Sequence, residues 1–283
     1  MLKDKNGSEN IVFKSAYKDS NITIIGIPFD GTCSYKPGAR FAPQVIRNEL
    51  YNLEAYSPYL DKDLSDYNIC DLGEIALSFG NTTLSLKRIK QEIKNVLSDN
   101  KKIFAIGGEH LISYPIIEAY ANKYEDLVVI QLDAHADLRE DYLGEKLSHA
   151  TVMRLTHNIL GNGRIFQFGI RSGTREEFEF ADKHTHLCKF NLDTLNEAIK
   201  EIGSRPVYVT VDLDVLDPSI FSGTGTPEAG GITFKELMEG VIQLDVLNIV
   251  GADVVELAPH YDQSGVSTAA ACKVMRELLL AMA

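Results

Sequence analysis

Short runs rich in β-branched residues recur along the chain between longer amphipathic stretches, the alternation that builds a parallel sheet flanked by helices. The runs fall at residues 22–28, 103–107, 127–132, 165–170, 207–211 and 249–257. Most are apolar on both faces, as expected of strands covered by helices on each side. The stretches between them predict helices over 43–53, 84–99, 113–123, 192–202, 233–244 and 267–282. The fifth opens with Thr233, followed three residues later by Glu236, the pairing of a capping box. The expected fold class is α/β: three layers, with a mostly parallel open sheet and helices on both faces. No repeat, low-complexity tract or linker interrupts it, so residues 1–283 read as one domain. Residues 52–80 are less periodic, contain Pro58 and several acids, and read as an irregular excursion beside the sheet.

Charge narrows the partners. The chain carries 28 basic and 40 acidic side chains, a formal charge of −12. That excludes the clustered positive footprint needed for nucleic acid and mildly favours cationic ligands. Four cysteines (Cys33, Cys70, Cys188 and Cys272) lack the spacing of a zinc site or disulfide framework. They suit a reducing compartment, so the expected location is cytoplasmic. Residues 1–20 have no apolar core of a secretory signal, and nothing reaches the roughly 18 apolar residues of a membrane span.

Three strand ends carry the chemistry. Residues 133–137 read DAHAD at the end of one apolar run, and residues 212–218 read DLDVLDP at the end of another. Side chains two apart on a strand share a face, so Asp133 and His135, and likewise Asp212 and Asp214, are expected to converge. A third run ends in GGEH at 107–110, whose glycines permit a tight turn that presents His110. Ligands of open α/β sheets bind outside the carboxyl ends of the strands, where all three clusters lie. Any one of these residues is as well explained by a cap or turn, and Asp217 before Pro218 reads as a turn former. Together, four carboxylates (Asp133, Asp137, Asp212, Asp214) and two imidazoles (His110, His135) repel unless cations neutralise them. Two divalent ions balance four negative charges, and an oxygen and imidazole set without thiolate suits Mn²⁺. Such a pair lowers the pKa of water toward neutrality.

These residues resemble the signatures of the ureohydrolase family, which includes arginases and agmatinases, and in this form are most similar to its bacterial agmatinase branch. The resemblance runs from GIPFD at 26–30 to VELAP at 255–259 and includes the glycine-rich loop GTGTPEAGG at 223–231. It implies an arginase-like fold with two Mn²⁺ per subunit. His110, Asp133, Asp137 and Asp212 would hold one ion; Asp133, His135, Asp212 and Asp214 would hold the other. It implies that Glu256 anchors a guanidinium, which a carboxylate can meet in bidentate fashion. His149 would relay protons, a task suited to a near-neutral histidine, Asp137 would accept a hydrogen bond from the nucleophile, and Thr226 would lie near the substrate. Many family members carry Asp where this chain has Glu109, a position outside the implied ligand set.

The reaction so implied is dimetal hydrolysis of a small cationic guanidine, agmatine plus water giving putrescine and urea. Acidic Glu140, Asp141 and Glu145, in the loop after DAHAD, offer more to a terminal ammonium than to the carboxylate of arginine, although Arg139 and Lys146 temper this. Arginine, guanidinobutyrate and formiminoglutamate are the competing substrates. A dimetal phosphoesterase would show a GNH turn and a GD segment, and neither is present. A guanidine- or polyamine-binding protein without catalysis would be missing ligands, yet all six positions are filled. By resemblance the chain is expected to form a homo-oligomer, a trimer or hexamer.

Overall fold

Eight strands, every neighbouring pair parallel, form one sheet. In this computed structural model Phe13 and residues 15–283 are described. The strands are β1 Ile22–Gly26, β4 Ile69–Glu74, β5 Lys102–Ile106, β6 Val128–Leu132, β7 Ile165–Ile170, β8 His186–Lys189, β9 Pro206–Asp212 and β10 Asn248–Val255. Their order across the sheet is β4-β1-β5-β10-β9-β6-β7-β8. A separate two-stranded hairpin pairs β2 Tyr56–Ser57 with β3 Lys62–Asp63. The helices are α1 Ala42–Glu49, α2 Thr82–Ser98, α3 Ser113–Ala121, α4 Val152–Leu160, α5 Arg175–His184, α6 Leu195–Ile202, α7 Phe234–Gln243 and α8 Val266–Met282.

Alternation along each strand divides the core in two. Ile22 and Ile24 of β1, Phe104 and Ile106 of β5, and Val207, Val209 and Val211 of β9 pack with α1, α6, α7 and α8. Ile25, Ile103, Ala105, Val129 and Tyr208 point the other way, into a layer with α2, α3, α4 and α5. Apolar residues on both faces of the same strand therefore mean what the sequence pattern implied: each face has its own helical cover. Among the described residues no helix is long and apolar enough to cross a membrane. The expectation that residues 1–20 contain no secretory signal falls mostly on residues outside those described.

All six expected strands and six expected helices are present, with ends shifted by a few residues. Four elements of the main sheet and its helical layers escaped the sequence pattern, β4, β8, α4 and α5, as did the small β2–β3 hairpin. Both missed strands of the main sheet are its edges. An edge strand is short and half exposed, so it lacks the apolar run that marks an interior one; β8 has four residues and buries only Cys188 fully. Helix α5 starts on a capping box between Thr174 and Glu177, but buries only Glu177 and Ala181 and so shows no apolar stripe. The capping box at Thr233 and Glu236 forms as expected.

Residues 52–80 are more ordered than their pattern suggested, for they hold the β2–β3 hairpin and edge strand β4. A buried polar knot fixes the hairpin to α8. Arg276 and Glu277 are 3% and 0% exposed. Arg276 Nε donates to Glu277 Oε1 at 2.9 Å, and Arg276 Nη1 to the Glu54 carbonyl at 2.9 Å. Ser57 Oγ donates to Glu277 Oε2 at 2.5 Å.

Removing one member of a buried ion pair strands the other charge, which costs more than the pair contributes. Glu277→Ala is therefore expected to lower the unfolding free energy by about 3–5 kcal/mol. The double replacement Arg276→Met with Glu277→Leu is expected to stay within about 1 kcal/mol of the parent. Denaturant titration measures both; equal losses would show that the pair itself is stabilising.

Candidate metal centre

The slot between β5 and β6 is filled last in the chain, by β9 and β10. Four strand ends far apart in sequence thereby become neighbours in the order β5, β10, β9, β6. At their carboxyl ends lie His110 after β5, Glu256 after β10, Asp212 and Asp214 at and after β9, and Asp133, His135 and Asp137 after β6. The GG turn is needed for this approach. A Cβ on Gly108 would stand 1.8 Å from the Phe29 carbonyl oxygen, so only glycine lets β1's loop pass.

The side chains converge around two imidazoles. His110 Nδ1 lies 3.0 Å from Asp133 Oδ2, 3.1 Å from Asp137 Oδ2 and 3.4 Å from Asp212 Oδ2. His135 Nδ1 lies 3.1 Å from Asp214 Oδ2 and 3.6 Å from Asp133 Oδ1. His110, Asp133 and Asp212 each offer a ligand atom within 4.8 Å of the others, as do Asp133, His135 and Asp214, so Asp133 belongs to both groups. The convergence of Asp212 with Asp214 does not come from strand alternation, however. Asp214 sits in a 3-10 turn over Leu213–Val215, and its N–H donates to Asp212 Oδ1 at 2.9 Å. Likewise β6 ends at Leu132, and the His135 N–H donates to Asp133 Oδ1 at 2.6 Å. Both pairs are aspartate-initiated turns, in which the side chain accepts from the backbone two residues on.

The donor set at His110 fits a cation. Its Nε2 lies 3.0 Å from Thr210 Oγ1, and that hydroxyl gives its proton to Asp253 Oδ1 at 2.6 Å. Thr210 can then only accept, so Nε2 carries hydrogen and, in the neutral ring, Nδ1 presents a lone pair. That atom is buried and makes no hydrogen bond, yet faces three carboxylates. A lone pair aimed at carboxylate oxygens is repulsive until a cation lies among them, and carboxylates with imidazole are the ligands of Mn²⁺-like ions. Without cations the cluster holds protons instead. Burial opposes charge on both imidazoles, but the carboxylates of Asp133, Asp137 and Asp212 around His110, and of Asp214 and Asp133 around His135, raise both well above the usual histidine range. Burial and the neighbouring Asp133 push Asp137 up to about 7. Burial and Asp214 raise Asp212 well above the carboxylate range.

The remaining expected site residues surround this cluster. Glu256, 7% exposed, accepts the His110 N–H at 2.8 Å, and burial together with Glu109 raises its carboxyl well above the usual range. Thr226 Oγ1 donates to Asp214 Oδ2 at 3.3 Å. His149 is held on the loop side: its N–H donates to Thr32 Oγ1 at 3.1 Å and its Nδ1 lies 3.0 Å from the Thr32 carbonyl oxygen. Burial lowers His149 to about 4, against the Thr32 hydrogen bond. Of the acidic loop residues, Glu140, Asp141 and Glu145 are exposed, and Asp141 accepts its own loop's Gly144 N–H at 3.0 Å. Asp217 is a turn former as expected, taking the N–H groups of Ser219, Gly230 and Gly231.

Several supporting residues were missed. Gln167 Nε2 donates to Gln131 Oε1 at 2.7 Å, and Gln131 Nε2 to Asp133 Oδ2 at 2.7 Å. Arg171 donates to the carbonyls of Asp214 and Glu228, at 2.8 and 2.7 Å, pinning the turn to the glycine-rich loop. Ser113, Tyr208 and Thr210 all donate to Asp253. A signal did exist: Gln131, Gln167, Thr210 and Asp253 are polar residues inside otherwise apolar strands, where burial demands a partner.

Comparison with known proteins agrees with this geometry. A profile of the family described as "Arginase family" matches residues 20–281. The agmatinase of Bacillus cereus is 47% identical over 283 residues, covering 98% of each chain. A crystal structure of a proposed agmatinase from Clostridium difficile is 50% identical, with a TM-score of 0.92 over 94% of this chain and 98% of that one. The agmatine ureohydrolase of Thermoplasma volcanium is 33% identical, with a TM-score of 0.86 over 95% and 92% of the two chains. Sequence, sheet order and the cluster at its carboxyl edge lead to one conclusion: this chain belongs to the arginase family.

Proposed function

We propose that this protein hydrolyses agmatine to putrescine and urea, using two Mn²⁺ ions held by His110, Asp133, Asp137 and Asp212 and by Asp133, His135, Asp212 and Asp214. The observation that carries the reading is the buried, unbonded Nδ1 of His110 facing three carboxylate oxygens. Agmatine as the substrate is supported by the agmatinases to which the chain is 47% identical along its length. When bound, a pair of divalent ions supplies Lewis acidity and makes water a nucleophile near neutral pH. A reducing cytoplasmic setting is supported by four cysteines without the spacing of a disulfide framework; assembly as a homo-oligomer extends the family resemblance.

The chain's own residues provide binding, orientation and proton transfer. Glu256, anchored through one oxygen by the His110 N–H, receives the planar guanidinium, whose N–H groups match a carboxylate. Asp137 accepts a hydrogen bond from the attacking water. His149 enters the cycle neutral, with Nδ1–H given to the Thr32 carbonyl, so Nε2 is the atom that accepts a proton. Nε2 then returns it to the leaving nitrogen. The balance closes: guanidinium and water become urea and a protonated amine, one water proton reaching the leaving nitrogen through His149 Nε2 and the other through Asp137. Thr226 holds Asp214 in place from the glycine-rich loop.

On one preparation, agmatine turnover is expected to exceed that of arginine, guanidinobutyrate and formiminoglutamate by on the order of 100-fold. Chelation should abolish urea release and Mn²⁺ restore it. Preferred turnover of another guanidine would displace the substrate, and full activity in a verified metal-free sample would displace the mechanism.

Thr210→Val keeps the shape but leaves the His110 Nε2–H and Asp253 without their shared partner. Outer partners of ligating histidines are worth about 10–100-fold in metal affinity, and a loss of that size is expected by competition against a fluorescent chelator. Unchanged affinity would remove Thr210 from the account.

His149 also links stability to pH. Its folded value of about 4 lies below the ordinary 6.5, so the unfolded chain takes the proton first as pH falls. The contribution is fully present above 6.5 and is lost between 6.5 and 4. Comparing the parent with His149→Asn, the parent is expected to lose about 2–3 kcal/mol more between pH 7 and pH 4. Parallel pH dependences in denaturant titrations would show that His149 is not buried neutral.

A further inference from the structure

We propose that Thr32, on the loop between β1 and α1, is the positioning residue for His149, with Glu109 as its anchor. The inference rests on reading His149 as the proton carrier. It concerns a residue on neither the metal cluster nor the strand ends, and it explains why so buried a glutamate stands at position 109.

Glu109 is 0% exposed and directs both carboxylate oxygens across to that loop. Oε2 takes the Thr32 N–H at 2.8 Å, and Oε1 takes the Thr32 hydroxyl. With its proton given away, Thr32 Oγ1 is left as an acceptor. What it accepts is the His149 N–H, at 3.1 Å. One side chain therefore joins the turn after β5 to the segment that carries His149.

The backbone of Thr32 completes the hold. Its carbonyl oxygen lies 3.0 Å from His149 Nδ1. A carbonyl can only accept, so Nδ1 carries hydrogen and the lone pair of the neutral ring falls on Nε2. Ser148 Oγ also lies near Nδ1, but at 3.4 Å it is the weaker partner. Ser34, two residues beyond Thr32, places its Oγ 3.3 Å from Nε2. Tyr142 meets the ring edge-on, with centroids 5.8 Å apart. The loop thus fixes the backbone, the tautomer and the direction of Nε2, and Glu109 fixes the loop. A glutamate has the reach for this; an aspartate at the same backbone position is one methylene shorter.

A purely structural role for the Thr32–Glu109 pair would alter stability or metal loading and leave the proton step alone. The two roles separate in steady-state kinetics of the Mn²⁺-loaded enzyme with agmatine. Thr32→Val is expected to lower kcat about 10–100-fold while KM moves less than about three-fold. Thr32→Ser, which keeps the hydroxyl, is expected to restore most of kcat. His149→Asn is expected to lose about 10²–10⁴-fold, and adding Thr32→Val to it should cost nothing more, because Thr32 acts through His149. Metal content and melting temperature are measured on every variant. If Thr32→Val does not fold, Thr32→Ala against Thr32→Ser asks the same question of the hydroxyl. An unchanged kcat in the hydroxyl-free variant overturns the proposal. So does a loss that persists in full beside His149→Asn, since Thr32 would then act through Glu109 and His110. An unchanged kcat in His149→Asn alone is a different failure, which overturns the proton-carrier reading itself.

Discussion

Four largely buried aspartates gathered against two imidazoles repel one another until cations complete the group, and the surrounding structure is arranged around that repulsion. Three of the four share one device. Asp133, Asp212 and Asp214 each have one oxygen held by a backbone N–H, from His135, Asp214 and Ala134 respectively. The other oxygen of each is directed at an imidazole nitrogen, at 3.0, 3.4 and 3.1 Å. Amide dipoles offset part of the charge, and the same bonds prevent the side chains from rotating apart. Before any cation arrives, the cluster is already preorganised and incompletely compensated, the condition that favours tight binding of hard dications.

Holding that arrangement strains the backbone locally. Asp137 and Glu256 both adopt left-handed conformations, with φ of 54° and 64°. For a non-glycine residue this costs on the order of 1 kcal/mol or more, and it persists only where neighbours over-determine it. Such neighbours are present. The Asp137 carbonyl receives the N–H groups of Met153 and Arg154, two of the otherwise unpaired donors at the start of α4. The Glu256 N–H is bonded to the Gly108 carbonyl at 2.9 Å. Strain at the edge of the sheet is thus locked by a helix that the sequence pattern did not reveal and by a glycine that it did.

What could be read from the sequence follows from how burial acts on residue choice. Interior strands lie between two helical layers, so β1, β5, β6, β7, β9 and β10 announce themselves as apolar runs. Edge strands β4 and β8 face that demand on fewer sides and do not. The ligand candidates were legible because acids and histidines at the tips of apolar strands have few other reasons to be there. The route to their convergence was misread, since Asp214 and His135 return through turns rather than by strand alternation. The outer partners were hidden for another reason. Thr32 lies 77 residues from Glu109 and 117 from His149, and no local pattern reports that such positions meet. Substrate discrimination by Glu140, Asp141 and Glu145 found no support either, because a charged loop exposed to water has the same composition as one that lines a site.

The histidines are shifted in opposite directions. His110 and His135 are raised by the acids around them, whereas burial lowers His149 to about 4 with Thr32 only partly opposing it. A neutral His149 suits the proposed reaction twice over. A proton acceptor must begin with a free lone pair, and a site for a cationic guanidine must not present another cation beside it. One neutral imidazole satisfies both demands, provided that its tautomer is fixed so that the lone pair lies on the nitrogen left open. Acidity at the strand ends and neutrality on the loop are therefore complementary requirements of one cationic substrate, met by placing chemically identical side chains in surroundings of opposite character.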